Sequence, residues 1–386
     1  MDPEIELAQK LVSLSKPGNI KNDEPTAEDT ADALNFIIKE LRLREYSVQK
    51  VGEGTGTAIV ARGTSDSVVF EGHIDTVPYS AELDDCGKSI GWNYKPTGEI
   101  VLDKESGKLR LYGRGATDMK SSLAAVLTAL DCTSIKPLVI ITQDEESGNF
   151  RGIRTALDYL RAKNITPHGG ICMEPSNFEI VNARKGVITA TFHTFGAADH
   201  GSKKRDEKND AIYKMTDCLN ALIRYETTLP LGDALFGGST MNLGKIIGGS
   251  AMNVVASQCK IDLEMRLTRS HDCETAAADV ASAIASALQA HKAPCDISSL
   301  NFKYKHNSYE LPENHSFVTA VLQILNKEAP ICRPSFNESP IMYAAGIPTI
   351  TYGPSTATMH KDDEFIEVEE ITKLKNTYAL LINKLA

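Results

Sequence analysis

The sequence predicts an α/β fold, in which a mixed, mostly parallel sheet is sandwiched by helices and a smaller α+β domain is inserted. Three observations lead to this prediction. Helix-like and strand-like segments alternate from the N-terminus to about residue 180, the order changes to β-α-β-β-α between about 184 and 298, and the alternation returns after 303. Such alternation is typical of parallel strands with helices on both faces. We therefore expect a discontinuous parent domain over 1–183 and 299–386, with the insertion at 184–298.

The elements of the parent domain follow from hydrophobic periodicity. Apolar residues at helical spacing predict helices over 3–15, 27–43, 119–131 and 151–163. Short apolar runs predict buried strands over 57–61, 67–72, 137–142 and 169–173. Beyond the insertion, the same patterns predict helices over 314–328, near 338–345 and over 367–385, and a strand over 347–353. A ligand site is expected beyond the carboxyl ends of the strands.

The inserted segment has a different order of predicted helices and strands. Alternating residues predict strands over 187–195, 239–247 and 257–268, and helical patterns cover 209–225 and 273–291. A closing strand near 296–303 completes a β-α-β-β-α-β order. That order is ferredoxin-like, so we expect a small α+β sandwich.

Composition narrows the class of protein. The 386-residue chain has 41 basic and 51 acidic residues and a net charge of −10, so we expect no nucleic-acid partner. No segment approaches the roughly 18 unbroken apolar residues of a membrane span, and the N-terminus lacks a signal-peptide pattern, so we expect no membrane partner. The eight cysteines form no Cys-x-x-Cys pair, which predicts buried free thiols in a reducing cytoplasm.

Acidic residues and histidines follow the predicted strands of the parent domain. Each group comes directly after an apolar run or in the loop beyond it, and one further acid opens a predicted helix after a glycine-rich loop. The residues are His73 and Asp75, Asp144, Glu145 and Glu146, Glu174, His360 and, after the glycine-rich loop, Asp118. Because the carboxyl ends of parallel strands share one edge, we expect these side chains to converge.

These residue types indicate a catalytic metal site. Imidazole and carboxylate ligands without thiolate suit Zn²⁺, Co²⁺ or Mn²⁺. Two histidines with several acids exceed the needs of one open site, which favours two ions roughly 3.5–4 Å apart and hydrolytic chemistry. Asp75 follows His73 by two residues, so in an extended segment it faces the same way and can orient the imidazole. The adjacent Glu145 and Glu146 point in different directions, so one can bind metal while the other faces substrate.

Each residue alone also has a structural interpretation. Asp118 fits a helix N-cap, the run from Asp144 to Glu146 fits a solvated loop, and His73 fits a hydrogen-bonded structural histidine. The joint placement at four strand ends favours the metal site over these alternatives. For His200, at the end of a strand in the insertion, the residues leave a surface role and a functional role open.

Five motifs resemble those of the M20 family of di-zinc amidohydrolases and peptidases. They are GHIDTVP (72–78), YGRGATDMK (112–120), TQDEESG (142–148), MEPS (173–176) and TMHKDDE (358–364). The resemblance extends over nearly the whole chain and implies a zinc-peptidase-like fold with a dimerisation and lid domain inserted. It further implies two Zn²⁺ per subunit, with Co²⁺ or Mn²⁺ as substitutes, and a homodimer.

The resemblance also implies a role for each site residue. One zinc is bound by His73, Asp118 and Glu174, and the other by Asp118, Glu146 and His360. Asp75 orients His73, and Glu145 is the general base that moves a proton from water to the leaving amine.

In the lid, three residues resemble functional positions of the family. His200 resembles the histidine that reaches the partner subunit's site to stabilise the oxyanion. Asn253 resembles the asparagine near the tetrahedral intermediate, and Arg266 resembles the arginine that binds a substrate carboxylate. The polar loop Gly201–Asp210 departs from the small residues that the family has there.

Within the family, the segments NESP (337–340) and HKDDE (360–364) are more similar to the patterns of acetylornithine deacetylases. This implies a hydrolase that removes an N-acyl group from an amino acid, most like N2-acetyl-L-ornithine. The alternatives are a succinyl-diaminopimelate desuccinylase, and a carboxypeptidase, dipeptidase or lid-independent aminopeptidase acting on peptides. A more remote alternative is a non-catalytic metal-binding relative.

Overall fold

The computed structural model describes residues 2–16, 27–84, 89–203, 209–232, 234–289 and 297–386. The chain divides into two compact units. The first unit comprises Met1–Asn182, Leu311–Ile331 and Asn337–Ala386, and the second comprises Ala183–Glu310 and Cys332–Phe336.

The described helices and strands, in chain order, have the following bounds. The helices are α1 Pro3–Ser13, α2 Ala27–Leu43, α3 Ser121–Ala129, α4 Arg151–Ala162, α5 Ala211–Glu226, α6 Cys273–Gln289, α7 Ser316–Leu325, α8 Ser339–Ala344 and α9 Val368–Leu385. The strands are β1 Ser47–Val51, β2 Ala58–Arg62, β3 Val68–His73, β4 Glu99–Leu102, β5 Leu109–Tyr112, β6 Leu138–Thr142, β7 Gly169–Cys172, β8 Val181–Arg184, β9 Gly186–Phe195, β10 Thr240–Gly248, β11 Gln258–Leu267, β12 Asn301–His306, β13 Tyr309–Glu310, β14 Ile331–Arg333, β15 Thr349–Thr351 and β16 Phe365–Glu367.

The first unit is built on a mixed sheet whose central strands are parallel. Its order is β1-β2-β6-β3-β7-β15-β8, and β6, β3, β7 and β15 run parallel to their neighbours within this group. The pairs β1/β2, β2/β6 and β15/β8 are antiparallel. The predicted α/β class is therefore confirmed, and the carboxyl ends of the four central strands lie at one edge.

Helices cover this sheet in two groups that differ in their contacts. Helix α3 packs against α1 and α9 and contacts β3, whereas α4 packs against β2, β6 and α8. Every residue of α3 is buried, as expected for a helix that is apolar on all sides. The helix begins at Ser121 and not at 119 as predicted, because Asp118 and Met119 have non-helical backbone angles.

The second unit is an antiparallel sheet covered by two helices. The sheet order is β10-β11-β9-β12, and α5 and α6 pack together against it. Side chains on β9 and β11 alternate between buried and partly exposed, so one face of the sheet builds the core with the helices. The β-α-β-β-α-β order is the predicted ferredoxin-like one.

The second unit ends later in the chain than the sequence indicates. Strand β12 pairs with β9, and the unit continues to Glu310, 12 residues beyond the expected end at 298. The closing strand predicted near 296–303 is β12, so the boundary predicted at 298 falls before the strand that completes this sheet. Residues 290–296, which include the end of the predicted helix 273–291, lie outside the described residues.

No helix in the described ranges is both long enough and apolar enough to cross a lipid bilayer.

Asp144 holds the start of helix α4. Its side chain is fully buried, and its two oxygens accept hydrogen bonds from the backbone N–H groups of Arg151 at 2.8 Å and Gly152 at 2.9 Å. These are two of the N–H groups that a helix leaves without an intrahelical partner. The aspartate therefore has a structural role that its sequence position alone does not reveal.

We predict that Asp144→Ala lowers the free energy of unfolding by about 1–3 kcal/mol, because two buried N–H groups lose their acceptor. Urea unfolding followed by fluorescence measures the effect in the first unit, since the single tryptophan, Trp92, is buried there. Asp158→Ala is the matched control on the same helix, where Asp158 forms only an exposed pair with Arg161. Equal stability of the two variants would contradict this account.

Candidate metal centre

The predicted site residues of the first unit come together at the carboxyl edge of the parallel strands. His73 is the last residue of β3, Glu145 and Glu146 follow β6, and Glu174 follows β7. His360 lies in the loop between β15 and β16. The topology thus delivers five side chains from four strand ends to one place.

One group of close contacts surrounds His73. Its Nε2 atom lies 3.1 Å from Asp118 Oδ1 and 3.2 Å from Glu174 Oε1. All three side chains are almost completely removed from solvent. A second group surrounds His360, whose Nε2 atom lies 3.2 Å from Asp118 Oδ2 and 3.2 Å from Glu146 Oε2.

Asp118 therefore lies between two imidazoles and presents one oxygen to each. It is not the N-cap of α3, which begins three residues later, so the helix-cap interpretation is wrong. The solvated-loop interpretation of the acidic run is also wrong, because Asp144 and Glu145 are buried and the side chain of Glu146 is 6% exposed. The side chain of His360 is 43% exposed, so solvent reaches the cluster on its side.

Asp75 connects the imidazole of His73 to the loop after β6. The Nδ1 atom of His73 lies 3.0 Å from the backbone oxygen of Asp75 and 3.4 Å from its carboxylate. The same carboxylate accepts hydrogen bonds from the backbone N–H groups of Glu145 and Glu146, at 3.4 and 2.9 Å. Asp75 thus contacts the Nδ1 side of the His73 imidazole, opposite the Nε2 atom that faces the cluster, and bonds to the backbone of both glutamates.

The imidazoles and Asp118 perturb one another electrostatically. Burial alone would lower the pKa of both histidines, but hydrogen bonds to carboxylates raise the pKa of His73 well above its usual value and that of His360 to about 11. Burial alone would raise the pKa of Asp118, but hydrogen bonds with His360 and His73 hold that pKa well below its usual range. The imidazoles and the carboxylates therefore favour each other's charged forms.

The two adjacent glutamates are both buried carboxyls with raised proton affinity. Burial and the charge of Glu174 raise the pKa of Glu145 well above its usual value. Burial and the charge of Asp118 raise the pKa of Glu146 to about 7. Within the described part of the chain, Glu146 Oε1 is buried without a hydrogen-bond partner.

This donor set fits divalent cations. Potential ligand atoms of His73, Asp118 and Glu146 lie within 4.8 Å of one another, and so do those of His73, Glu145 and Glu174. Carboxylates concentrated in a buried cluster, with one oxygen lacking a donor, are arranged for a positive charge. Proximity alone does not show whether Glu145 is a metal ligand, because its carboxylate belongs to the same close group as that of Glu174.

Sequence reasoning missed two buried carboxyls behind the cluster. Glu71 lies on β3 two residues before His73, and Glu338 lies directly before α8; each is 1% exposed. Thr142 Oγ1 donates to Glu338 Oε2 at 2.8 Å, and burial together with the charge of Glu71 raises the pKa of Glu338 well above its usual value. An acid at an inward position of the apolar strand VVFEGH is the signal that could have identified Glu71.

The remaining candidates lie in the second unit. His200 pairs with Val254 in an isolated bridge, its Nδ1 lies 2.8 Å from Ser202 Oγ, and Gly201 N–H donates to the backbone oxygen of Asn253. His200 and Asn253 are thus neighbours on exposed loops.

Arg266 projects from β11 and forms two hydrogen bonds of 2.9 Å to Glu264. Of the polar loop Gly201–Asp210, residues 204–208 lie outside the described residues.

Two comparisons of the sequence with known proteins point to the same class of hydrolase. The profile of the peptidase family M20/M25/M40 matches residues 69–384. An acetylornithine deacetylase from Salmonella typhimurium is 27% identical over 277 residues, which are 68% of this chain and 69% of that protein.

Solved structures share the fold at low sequence identity. A tripeptidase from Staphylococcus aureus superposes with a TM-score of 0.71 at 17% identity, covering 99% of this chain and 97% of that one. An M20 family metallo-carboxypeptidase from Sulfolobus solfataricus gives a TM-score of 0.72 at 15% identity, covering 100% and 99%. A dinuclear metal-binding peptidase of the M20 family from Bacillus subtilis gives a TM-score of 0.62 at 12% identity, covering 98% and 97%.

We predict that binding of a divalent cation releases protons and strengthens as pH rises. The raised pKa values of His73 and His360 keep both imidazoles protonated near neutral pH, whereas a metal ion needs them neutral. Calorimetric titration with Zn²⁺ in two buffers of different ionisation enthalpy measures the protons released. His73→Gln should reduce that number, and His168→Gln, at an exposed position, should not. Heat that is independent of the buffer would contradict the prediction.

Proposed function

This chain belongs to the peptidase family M20/M25/M40, and from that premise we propose that it removes an N-acyl group from an amino acid. Family membership makes it a metal-dependent hydrolase that acts on amide bonds. The proposed substrate class is most like N2-acetyl-L-ornithine, in agreement with the names of the sequence relatives. The observation that carries the proposal is the position of Asp118 between the Nε2 atoms of His73 and His360.

We propose that two Zn²⁺ ions bind at this cluster, with Co²⁺ or Mn²⁺ as possible substitutes. His73, Asp118 and Glu174 would bind one ion, and Asp118, Glu146 and His360 would bind the other; the contacts of 3.1–3.2 Å within each set support this division. When bound, the ions supply Lewis acidity and lower the pKa of a water molecule. The unpartnered Oε1 of Glu146 supports its role as a ligand.

Glu145 is the proposed general base. It takes a proton from the attacking water and delivers that proton to the leaving amine nitrogen. Its burial and its proximity to Glu174, which raise its pKa, give it the proton affinity that this transfer needs. The hydrogen bond from its backbone N–H to Asp75 holds it beside the imidazole of His73.

The first unit is the proposed catalytic domain, and the second is the proposed dimerisation and lid domain. His200 would stabilise the oxyanion in the partner subunit's site, with Asn253 beside it. Arg266 would bind the free carboxylate of the substrate, for which a planar guanidinium is well suited. Because Glu264 occupies two of its N–H groups, a substrate carboxylate would use the other edge of Arg266 or displace Glu264.

A peptide substrate is the second candidate. The fold neighbours include a tripeptidase and a carboxypeptidase, although at 17% and 15% identity they support the fold and not the substrate. Succinyl-diaminopimelate desuccinylation is a further alternative on the same catalytic groups. In each case the amide carbonyl is attacked by water, so the substrates differ in the groups on either side of the bond.

A substrate panel tests the proposed activity. We expect zinc-loaded protein to hydrolyse N-acetylornithine faster than succinyl-diaminopimelate, dipeptides or tripeptides, measured as free amine released. Faster hydrolysis of any other substrate would move the assignment to that class, and inactivity toward the whole panel would contradict an enzymatic role.

The same assay tests the base. Glu145→Gln should lower kcat by about 10²–10⁴-fold, because water loses its proton acceptor, while two zinc ions per chain are retained. Glu53→Gln, which changes an exposed glutamate in the same unit, should leave kcat unchanged. Wild-type turnover by Glu145→Gln would show that another group is the base.

An unpaired strand edge supports the proposed homodimer. Among the described residues, β10 pairs only with β11, so its other edge is open. Ile246 and Ile247 on this strand are each 55% exposed, and Ile212 of α5, beside Gly248, is 42% exposed. An open edge flanked by apolar side chains suits pairing with a second copy.

We expect sedimentation of the wild-type chain at twice its mass of 42.0 kDa. Ile246→Lys should give monomers, because a charged side chain would be buried at the open edge. Leu43→Lys, at a 67% exposed position of α2, should remain dimeric. A wild-type chain that is monomeric at micromolar concentration would contradict both the dimer and the role of His200 across it.

A cytoplasmic location is also proposed. The described cysteines, which are Cys132, Cys172, Cys218, Cys259, Cys273 and Cys332, are all free thiols. Free thiols of this number are typical of proteins in a reducing compartment.

A further inference from the structure

Glu364 connects the two loops that carry Asp118 and His360. Its side chain is fully buried, although it lies only four residues after the partly exposed His360. Oε1 accepts hydrogen bonds from the backbone N–H groups of Thr117 at 2.9 Å and Asp118 at 3.1 Å. Oε2 accepts from the N–H of Gly115 at 3.1 Å. One carboxylate thus holds the backbone of the Asp118 loop.

Arg114 completes the connection. Its guanidinium is 2.8 Å from Glu364 Oε2, and the same nitrogen donates to the backbone oxygen of Lys361 at 3.0 Å. The guanidinium is 3% exposed and lies 5.2 Å from the ring centre of Trp92. In the other direction, the N–H of Gly113 donates to the backbone oxygen of Glu364 at 2.8 Å. The segments 113–118 and 361–364 are therefore joined by several hydrogen bonds and a buried ion pair.

The neighbouring Asp363 fastens the same loop to a different place. Its carboxylate accepts hydrogen bonds from the backbone N–H groups of Asn93 at 2.7 Å and Tyr94 at 3.1 Å, and from the side chain of Asn93 at 2.6 Å. None of these bonds reaches the segment 113–118. Two consecutive acids thus anchor the His360 loop, and of the two only Glu364 bonds to the Asp118 loop, to which Thr117 Oγ1 adds a hydrogen bond of 2.7 Å to the backbone oxygen of Phe365.

The two proposed metal positions differ in how their histidines are supported. His73 belongs to β3, which is paired on both sides with β6 and β7. His360 lies outside the helices and strands, at a positive φ of 62°, and its imidazole contacts Asp118 and Glu146. The distance between His360 and Asp118 therefore depends on how the two loops are joined.

We propose that Glu364 is a positioning residue that sets Asp118 against His360, so that binding at the Asp118–Glu146–His360 position depends on it more than binding at the His73 position. The inference rests on the proposed two-metal function. In Glu364→Gln, one side-chain oxygen is replaced by an NH₂ group, which donates and cannot accept. The backbone N–H groups that now bond to the carboxylate would therefore lose an acceptor. Substitution of a group that orients ligands in this way typically lowers metal affinity by about 10–100-fold.

Zinc titration of the 386-residue chain, after removal of metal with a chelator, tests the inference without reference to activity. Stepwise affinities are measured by calorimetry against a competing chelator, and bound zinc is counted by elemental analysis after dialysis. We take the first, tighter ion to occupy the His73 position, whose histidine lies on a paired strand, and the second to occupy the Asp118–Glu146–His360 position. For Glu364→Gln we expect the affinity for the second ion to fall by about 10–100-fold and that for the first to change by less than about threefold. The matched control, Asp363→Asn, should change both affinities by less than about threefold.

A merely structural role would lower the two affinities together, and that result would overturn the inference. Glu364→Gln with a wild-type second affinity, or Asp363→Asn weakened equally, would overturn it as well. If Glu364→Gln does not fold, Arg114→Gln is the second variant, because it removes the guanidinium that bonds to Glu364 and to the backbone oxygen of Lys361. It should also lower the affinity for the second ion more than the affinity for the first. Two affinities equal to those of the wild-type chain would overturn the inference. A wild-type chain that binds fewer than two ions would instead overturn the proposed function.

Discussion

The constraint on which the site depends is the burial of one carboxylate between two imidazoles. Asp118 is 4% exposed and presents a different oxygen to His73 and to His360. A buried carboxylate without positive partners would be unfavourable by several kcal/mol, so its neighbours must supply charge. The adjacent imidazoles can supply it when they are protonated, and bound cations would supply it when the imidazoles are neutral.

The fold brings them together by topology, and two acids hold them by hydrogen bonds. Parallel pairing of β6, β3, β7 and β15 places four strand ends at one edge. On one side, Asp75 connects His73 with the loop of Glu145 and Glu146. On the other side, Glu364 connects the loop of Asp118 with that of His360. Both acids use backbone N–H donors, which have fixed directions and so restrict the loops more than flexible side chains would.

Much of this arrangement could be predicted from the sequence, because its signals are local. Apolar runs that end in His73 or precede Glu145 and Glu174 indicate strand ends, and parallel pairing then predicts convergence. The hydrogen bonds between Glu364 and the Asp118 loop could not be predicted, because the residues that they join are far apart in the chain. Glu364 and Asp118, for example, are separated by 246 residues. The small sheet β16-β5-β4 was also missed, because its strands are only three or four residues long and so show no clear periodicity. The end of the insertion was predicted too early, at 298, because the boundary was placed before the predicted closing strand, which lies at Asn301–His306.

Diffraction from zinc-soaked crystals tests whether Asp118 lies between two metal ions, as we propose. Anomalous difference maps collected above and below the zinc absorption edge locate each bound ion independently of activity. We expect two peaks roughly 3.5–4 Å apart, with Asp118 between them, one beside His73 and Glu174 and the other beside Glu146 and His360. A single peak, or two peaks that do not share Asp118, would contradict it.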